Sequence, residues 1–540
     1  MKNTKFKNLI LLALLLFLYI FVSAHSYVSA VSSNLSDAVF RLHVIANSDS
    51  NYAFSDTDES ESFRNCLVFD MSLLDTSNVV YMSGMFVYAG YDNTTTIKII
   101  GLENFDVSNV TNMNSMFRYA GYNATTWDIG DLDNWDVSNV TLMNSMFSYA
   151  GYSALTWDIG DLDNWDVSNV TGMYGMFSYA GYNASTWSIG ISNWDTGNVT
   201  SMSNMFAYSG YNASTWNIGT LNDWDTGNVT SMSRMFYYAG YSAGEWGIGY
   251  LNSWNVSNVQ NFSDMFARTA YSSDIFDLGD IGGWDISNAK DLSWMFFDAA
   301  PKATLWSIGQ LNDWNTSKVT DMNRLFYSSG KNSTVWDIGD LSNWDTSKVT
   351  NMDLMFDSSG KKMESWNVGD ISGWNVSMLK TARQMFSNLS NLKILDLSGW
   401  NTSSLTDTSS MFSWCDNLTT IYIGDGWDVS NVTSSVAMFN GDSKLPNYEI
   451  NVSDATKAHG DAGGYMTRVV IFTIDGVKYK ALKGMTWTQW IDSEYNTRGD
   501  MKDWGYCVGT TDWNYYIVHG STMIKPTNVI SAADYTLQYN

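Results

Sequence analysis

The dipeptide Met-Phe recurs at Met85, Met116, Met146, Met176, Met205, Met235, Met265, Met295, Met355, Met385, Met411 and Met438, and Leu325-Phe326 fills the one gap. Successive copies are 26–31 residues apart, most of them 30. A fixed period of this size makes each copy one small unit that cannot bury its apolar side alone and must stack on its neighbours. A propeller blade would require four strands per copy, and about thirty residues leave no room for them. The thirteen copies therefore predict a solenoid over residues 66–445.

One copy reads Trp127-Asp-Ile-Gly-Asp-Leu-Asp-Asn-Trp135-Asp-Val-Ser-Asn-Val-Thr-Leu-Met-Asn-Ser-Met146-Phe147. Trp127 and Ile129 are two apart, so on a short strand both face one side and Asp128 faces the other. Ser138 can cap a helix, on which Val140, Met143 and Phe147 would share a buried face. Each copy is thus expected to hold one strand and one short helix. The Trp135 position is Trp in eleven copies, a ladder expected to form a core spine. Of the 25 Trp in the chain, 21 fall in residues 66–445, as do 23 of the 28 Met, so the aromatic excess is one repeated core unit.

The residue after that tryptophan is always Asp or Asn, whose short acceptor can satisfy turn amides. A stacked Asp file could bind calcium, but the Asn copies dilute the charge and no nonapeptide calcium signature occurs, so no metal or other cofactor is expected. The net charge of −26 excludes a nucleic-acid partner held by counterion release and disfavours an anionic membrane surface.

Asn391-Leu-Lys-Ile-Leu-Asp-Leu-Ser-Gly-Trp400-Asn-Thr-Ser, leading to Met411-Phe412, resembles the leucine-rich repeat of BspA-like bacterial surface proteins. Related Trp-Asp-Val/Thr-Ser-Asn-Val-Thr units recur over most of the chain. The departure is a four-residue insertion: Phe386 to Leu392 is six residues, whereas Phe117 to Trp127 is ten. The resemblance implies an α/β solenoid, a leucine-rich-repeat-like right-handed stack of short parallel strands and short helices. It also implies a secreted or cell-surface adhesion protein that binds host extracellular-matrix proteins, glycans or cell-surface receptors. The rival expectation is a structural envelope, biofilm or spore-surface component with the solenoid as spacer. Oligomeric state is not legible.

Residues 1–30 have the basic, apolar and small-residue order of a signal peptide, with an uncleaved N-terminal anchor as the alternative. Residues 31–65 form an N-terminal segment and cap. Within it, Phe40 to Ser50 resembles the opening of the stage II sporulation protein R family over about a dozen residues, and no function is carried from it. Residues 446–467 read as a cap and linker. In 468–540, Arg468–Ile474 and Val477–Leu482 alternate around Asp475-Gly476, a hairpin signal. A helix is expected over Met485–Ser493 and strands at Tyr506–Val508, Tyr515–His519 and Tyr535–Tyr539, together a small α+β, β-grasp-like domain.

Three sets of residues are candidate ligand contacts. The inserted loop stacks Tyr119, Tyr149 and Tyr179, continued by Tyr208 and Tyr238, beside a second file with Tyr122, Tyr152 and Tyr182. Tyrosine supplies rigid amphipathic contact area, although the same rings could serve only to fill a widened arch. Outward strand positions Asp128, Asp158, Ser188 and Asn217 are small, polar and variable. Arg498-Gly499-Asp500 is an integrin-recognition tripeptide on a glycine-containing loop. Gly240-Tyr-Ser-Ala-Gly244 fits a nucleophile-elbow pattern, but sister copies put Asn at the Ser242 position and no partnered histidine is evident. No catalytic constellation is recognised, so no enzyme is expected. Cys66, Cys415 and Cys507 have neither disulfide-framework nor zinc spacing.

Overall fold

The computed structural model describes residues 44–55, 63–494, 515–519, 522–523 and 527–539. The expected signal peptide, the Tyr506–Val508 strand and Arg498-Gly499-Asp500 lie outside these residues. The chain forms two compact units, Met1–Gln310 with Leu325–Asp337 and Leu311–Arg324 with Ile338–Asn540. Each contains solenoid coils of the same build.

In the first unit the strand positions pair in parallel and in register. Thr96–Ile100 pairs with Val68–Asp70 on one side and Thr126–Asp128 on the other, placing Ile97 opposite Trp127. Thr186–Ser188, Thr215–Asn217 and Glu245–Gly247 repeat the arrangement, as do Ile275–Asp277 and Leu305–Ser307. Trp127 and Ile129 are buried while Asp128 is half-exposed, as the period-two reading requires. A second row of single parallel bridges runs Tyr81, Asn112, Leu142, Gly172, Ser201, Ser231, Asn261, Asp291.

The expected helix is replaced by a ribbon of turns. Val140, Met143 and Phe147 are fully buried, but the backbone around them alternates in hand: Ser145 and Tyr149 have φ of 56° and 60°. Alternate amides leave the coil, Met143 N–H donating to Gly172 O, Ser145 to Tyr174 O, Phe147 to Met176 O and Tyr149 to Ser178 O. The amides between them, Met146 and Ser148, close local turns on Met143 O and Ser145 O. An α-helix would send every N–H along its own axis and is about 10 Å wide, whereas adjacent phenylalanines of this ribbon stack 5.3–5.6 Å apart. Such a stack has no room for helices. A left-handed non-glycine residue costs roughly 1–2 kcal/mol, and the ladder bonds it permits, worth about 1 kcal/mol each net, offset that cost.

Ser138 therefore caps no helix and is itself held in a turn by Asp136. Its N–H and hydroxyl both donate to Asp136 Oδ1, at 3.1 and 2.6 Å. The core spine consists of Trp135, Trp165, Trp194, Trp224, Trp254 and Trp284, stacked 6.1–6.4 Å apart. Each indole N–H donates to a carbonyl of the preceding coil, Trp165 to Leu132 O at 2.8 Å, which satisfies a donor that burial would otherwise strand.

In the second unit Trp314, Trp344, Trp374 and Trp400 form the same spine. Ile394–Leu397 pairs with Thr420–Ile423, and Thr467–Ile474 continues that sheet in parallel through Tyr422 opposite Thr467. The C-terminal sheet is thus built directly on the edge of a coil. Thr467–Ile474 and Val477–Leu482 form the hairpin, with Asp475 and Gly476 both at positive φ as a tight turn demands. The helix spans Trp487–Glu494, and its Trp487 and Trp490 pack edge-on against Phe472 at 5.1 and 5.0 Å. Asp534–Tyr539 joins the Thr467–Ile474 strand in parallel and Tyr515–His519 antiparallel. Among the described residues, no helix is long and apolar enough to cross a membrane.

Candidate binding surface

The ladder that excludes the helix brings the loop tyrosines into two columns, both within the first unit. Column one is Tyr88, Tyr119, Tyr149, Tyr179, Tyr208 and Tyr238, with ring centroids 4.3–4.9 Å apart. Every one of these residues has φ between 57° and 61°, and Tyr119, Tyr149 and Tyr179 each donate their N–H to the following coil. Column two is Tyr91, Tyr122, Tyr152, Tyr182, Tyr211, Tyr241 and Tyr271, in six steps of 4.5–4.9 Å. Its spacing is pinned by the backbone too, since Tyr122 O accepts from Ser153 N–H and Tyr152 O from Asn183 N–H. Rings in the same coil lie 5.3–6.2 Å apart across the columns. All thirteen are half-buried.

Ring faces are therefore covered by other rings, and edges and hydroxyls remain at the surface. Burial first, and neighbouring phenols second, push the hydroxyls of Tyr122, Tyr149 and Tyr179 above the ordinary tyrosine value and those of Tyr182 and Tyr241 to about 12. The phenols form a row of groups that both donate and accept.

Cations close the columns. The Arg64 guanidinium sits 4.3 Å from the Tyr91 ring centre and Lys302 Nζ 5.2 Å from that of Tyr271. Arg268 takes the next place in column one, lies over Tyr238 at 5.3 Å and donates to its hydroxyl. Arg64 and Arg268 are paired with Asp92 and Asp298. The sequence reading missed Tyr88 and these end groups. Tyr88 keeps the same offset from Met85 that Tyr119 keeps from Met116, and Arg268 keeps it from Met265, which was the available signal.

Three of the strand-face candidates are engaged locally. Asp128 pairs with Lys98 at 2.6 Å, Asp158 Oδ1 accepts Gly160 N–H, and Asn217 Oδ1 accepts Gly219 N–H. Asp158, Ser188 and Asn217 are exposed, so the face is open but its acceptors turn the chain. Ser242 lies in a turn and donates its N–H to Tyr211 O. The Asp136 file is used in the same way, and among the described residues no three His, Cys, Asp or Glu side chains gather where they could hold a metal ion. Asn139, in an Asn-x-Thr triplet, donates its side-chain amide to Ser108 O, 2.7 Å away in the preceding coil.

No curated protein matches the chain. A family model matches it in overlapping placements, residues 57–160, 152–269, 211–334, 301–425 and 334–453, together nearly three quarters of its length. The matched span holds both tyrosine columns and the tryptophan spines of both units, and the chain belongs to this family, described as Mycoplasma protein of unknown function, DUF285.

Proposed function

We propose that this protein is a non-catalytic binding protein, secreted or held at the cell surface, that attaches to host matrix proteins, glycans or cell-surface receptors. In this reading the repeat is a BspA-like variant of the leucine-rich repeat in which turns replace the helix, and the C-terminal sheet with its helix is a β-grasp-like module. The observation that carries it is the pair of tyrosine columns, an uninterrupted strip of rigid, half-exposed rings. Tyrosine is the residue that gives contact area at least entropic cost, and a repeat array offers it in a line. The strand face is the lesser candidate, because its acceptors already serve the fold. The localisation rests on the signal-peptide order of residues 1–30.

The test is an array of matrix proteins, glycans and receptor ectodomains probed with the purified chain and with a variant carrying Tyr122→Ala, Tyr152→Ala and Tyr182→Ala. Saturable binding that the variant loses supports the reading. Absence of any saturable ligand, together with self-assembly of the chain, overturns it in favour of a spacer role.

A further inference from the structure

Resting on the reading of the tyrosine strip as a binding surface, we infer that its ligand is a polyproline-II segment of about nine residues. Three features of the strip lead there. First, sugar rings stack on open aromatic faces, and here each interior ring face is covered by the next tyrosine at 4.3–4.9 Å, while Arg64 and Lys302 lie over the terminal rings. What is presented is a line of ring edges and hydroxyls, which suits a ligand with regularly spaced carbonyls.

Second, the period selects the ligand's backbone. Column two repeats every 4.6 Å through its centre, Tyr152 to Tyr182 to Tyr211 to Tyr241. A polyproline-II helix has three residues per turn and rises about 3.1 Å per residue, so one turn spans two of these steps and stays in phase along the column. An α-helical pitch of about 5.4 Å drifts out of phase within a few coils. A β-strand, repeating its side-chain direction about every 6.6 Å, does so as well. Polyproline II also makes no internal hydrogen bonds, so its carbonyls are free to accept from phenol hydroxyls.

Third, the size fits a linear segment better than a second copy of this chain. Six steps of 4.5–4.9 Å accommodate about nine residues at ~3.1 Å each. A strip two rings wide and that long buries on the order of 800 Å² in total, short of the ~1,200–2,000 Å² of a stable protein pair.

The experiment is calorimetric titration of the full chain with a nonaproline peptide, a Gly-Ser nonapeptide and a chitin hexasaccharide. It is repeated on a variant with Tyr122→Phe, Tyr152→Phe, Tyr182→Phe and Tyr211→Phe, which keeps the stacked rings and removes only hydroxyls. Saturable binding of nonaproline, at least tenfold tighter than of the Gly-Ser peptide and weakened at least tenfold in the variant, is the expected result. An unchanged circular dichroism spectrum shows that the variant is folded. Nonaproline affinity equal to that of the Gly-Ser peptide, or untouched by the four substitutions, overturns the inference. Binding of the hexasaccharide or of a matrix protein that Tyr→Ala substitutions abolish, with no nonaproline binding, overturns this inference alone and leaves the strip as the binding surface.

Discussion

Asp442 lies in the second unit with none of its surface exposed. Its Oδ1 accepts Cys415 N–H at 2.8 Å, and its Oδ2 has no hydrogen-bond partner among the described residues. Burial, with the nearby Asp416 carboxylate adding to it, pushes its pKa from 3.8 up to about 8. The titratable groups beside it are Asp416 and the buried thiol of Cys415, which donates to Phe386 O and which burial and Asp442 itself raise well above the ordinary cysteine value. Below about pH 4 the carboxyl is protonated whether the chain is folded or unfolded, and it carries no penalty. Between about pH 4 and 8 only the folded state holds the proton, so stability falls with rising pH by ~1.4 kcal/mol per unit. Above about pH 8 the loss is complete, at most ~6 kcal/mol over the window. Asp442→Asn copies the protonated form and keeps the acceptor for Cys415. Calorimetric unfolding at pH 4, 6 and 8 is expected to show parent and variant alike at pH 4. By pH 8 the variant should unfold several degrees higher, taking ~2–4 °C per kcal/mol for a unit of this size. Comparison within each pH cancels the other carboxylates, including Asp298, which burial raises, and Asp345, which Ser347 lowers. A gap of the same size at every pH, or one widest at pH 4, would refute the assignment of a buried, largely protonated carboxyl.

Trp165→Ala removes a ring stacked between Trp135 and Trp194 together with its indole bond to Leu132 O; a loss of ~3–5 kcal/mol is expected, and a urea midpoint shift equivalent to less than ~1 kcal/mol would contradict the spine. Ser145 stands at φ 56° where the neighbouring coil has Gly175 at φ 61°, so Ser145→Gly should be neutral or stabilising by up to ~1 kcal/mol, read from the thermal midpoint. Destabilisation beyond ~1 kcal/mol would mean that the turn ribbon is not what holds this position.

The burial pattern was legible in the sequence and the hydrogen-bond pattern was not. Spacing at Val140, Met143 and Phe147 identified three side chains that are indeed fully buried, yet an i, i+3, i+7 spacing states only which way side chains face. It carries no information on whether Phe147 N–H bonds back along its own coil or sideways to Met176 O, and stacking decided for the latter. The clue was present in Gly84 and Gly175, which occupy the Ser145 position in two copies at φ 62° and 61°. A helical interior has no use for glycine at one fixed place. The tyrosine columns followed from their constant offset, but the ring spacing did not, because it is set by the backbone ladder that replaced the helix. That substitution bears directly on the proposed binding surface. Helices around a leucine-rich repeat would hold loop residues well over 5 Å apart, with open faces between them, whereas turns bring tyrosines to 4.3–4.9 Å and close those faces. The same departure that shapes the coil thus turns a potential row of stacking platforms into a row of edges and hydroxyls, and so narrows the ligands that fit the proposed surface.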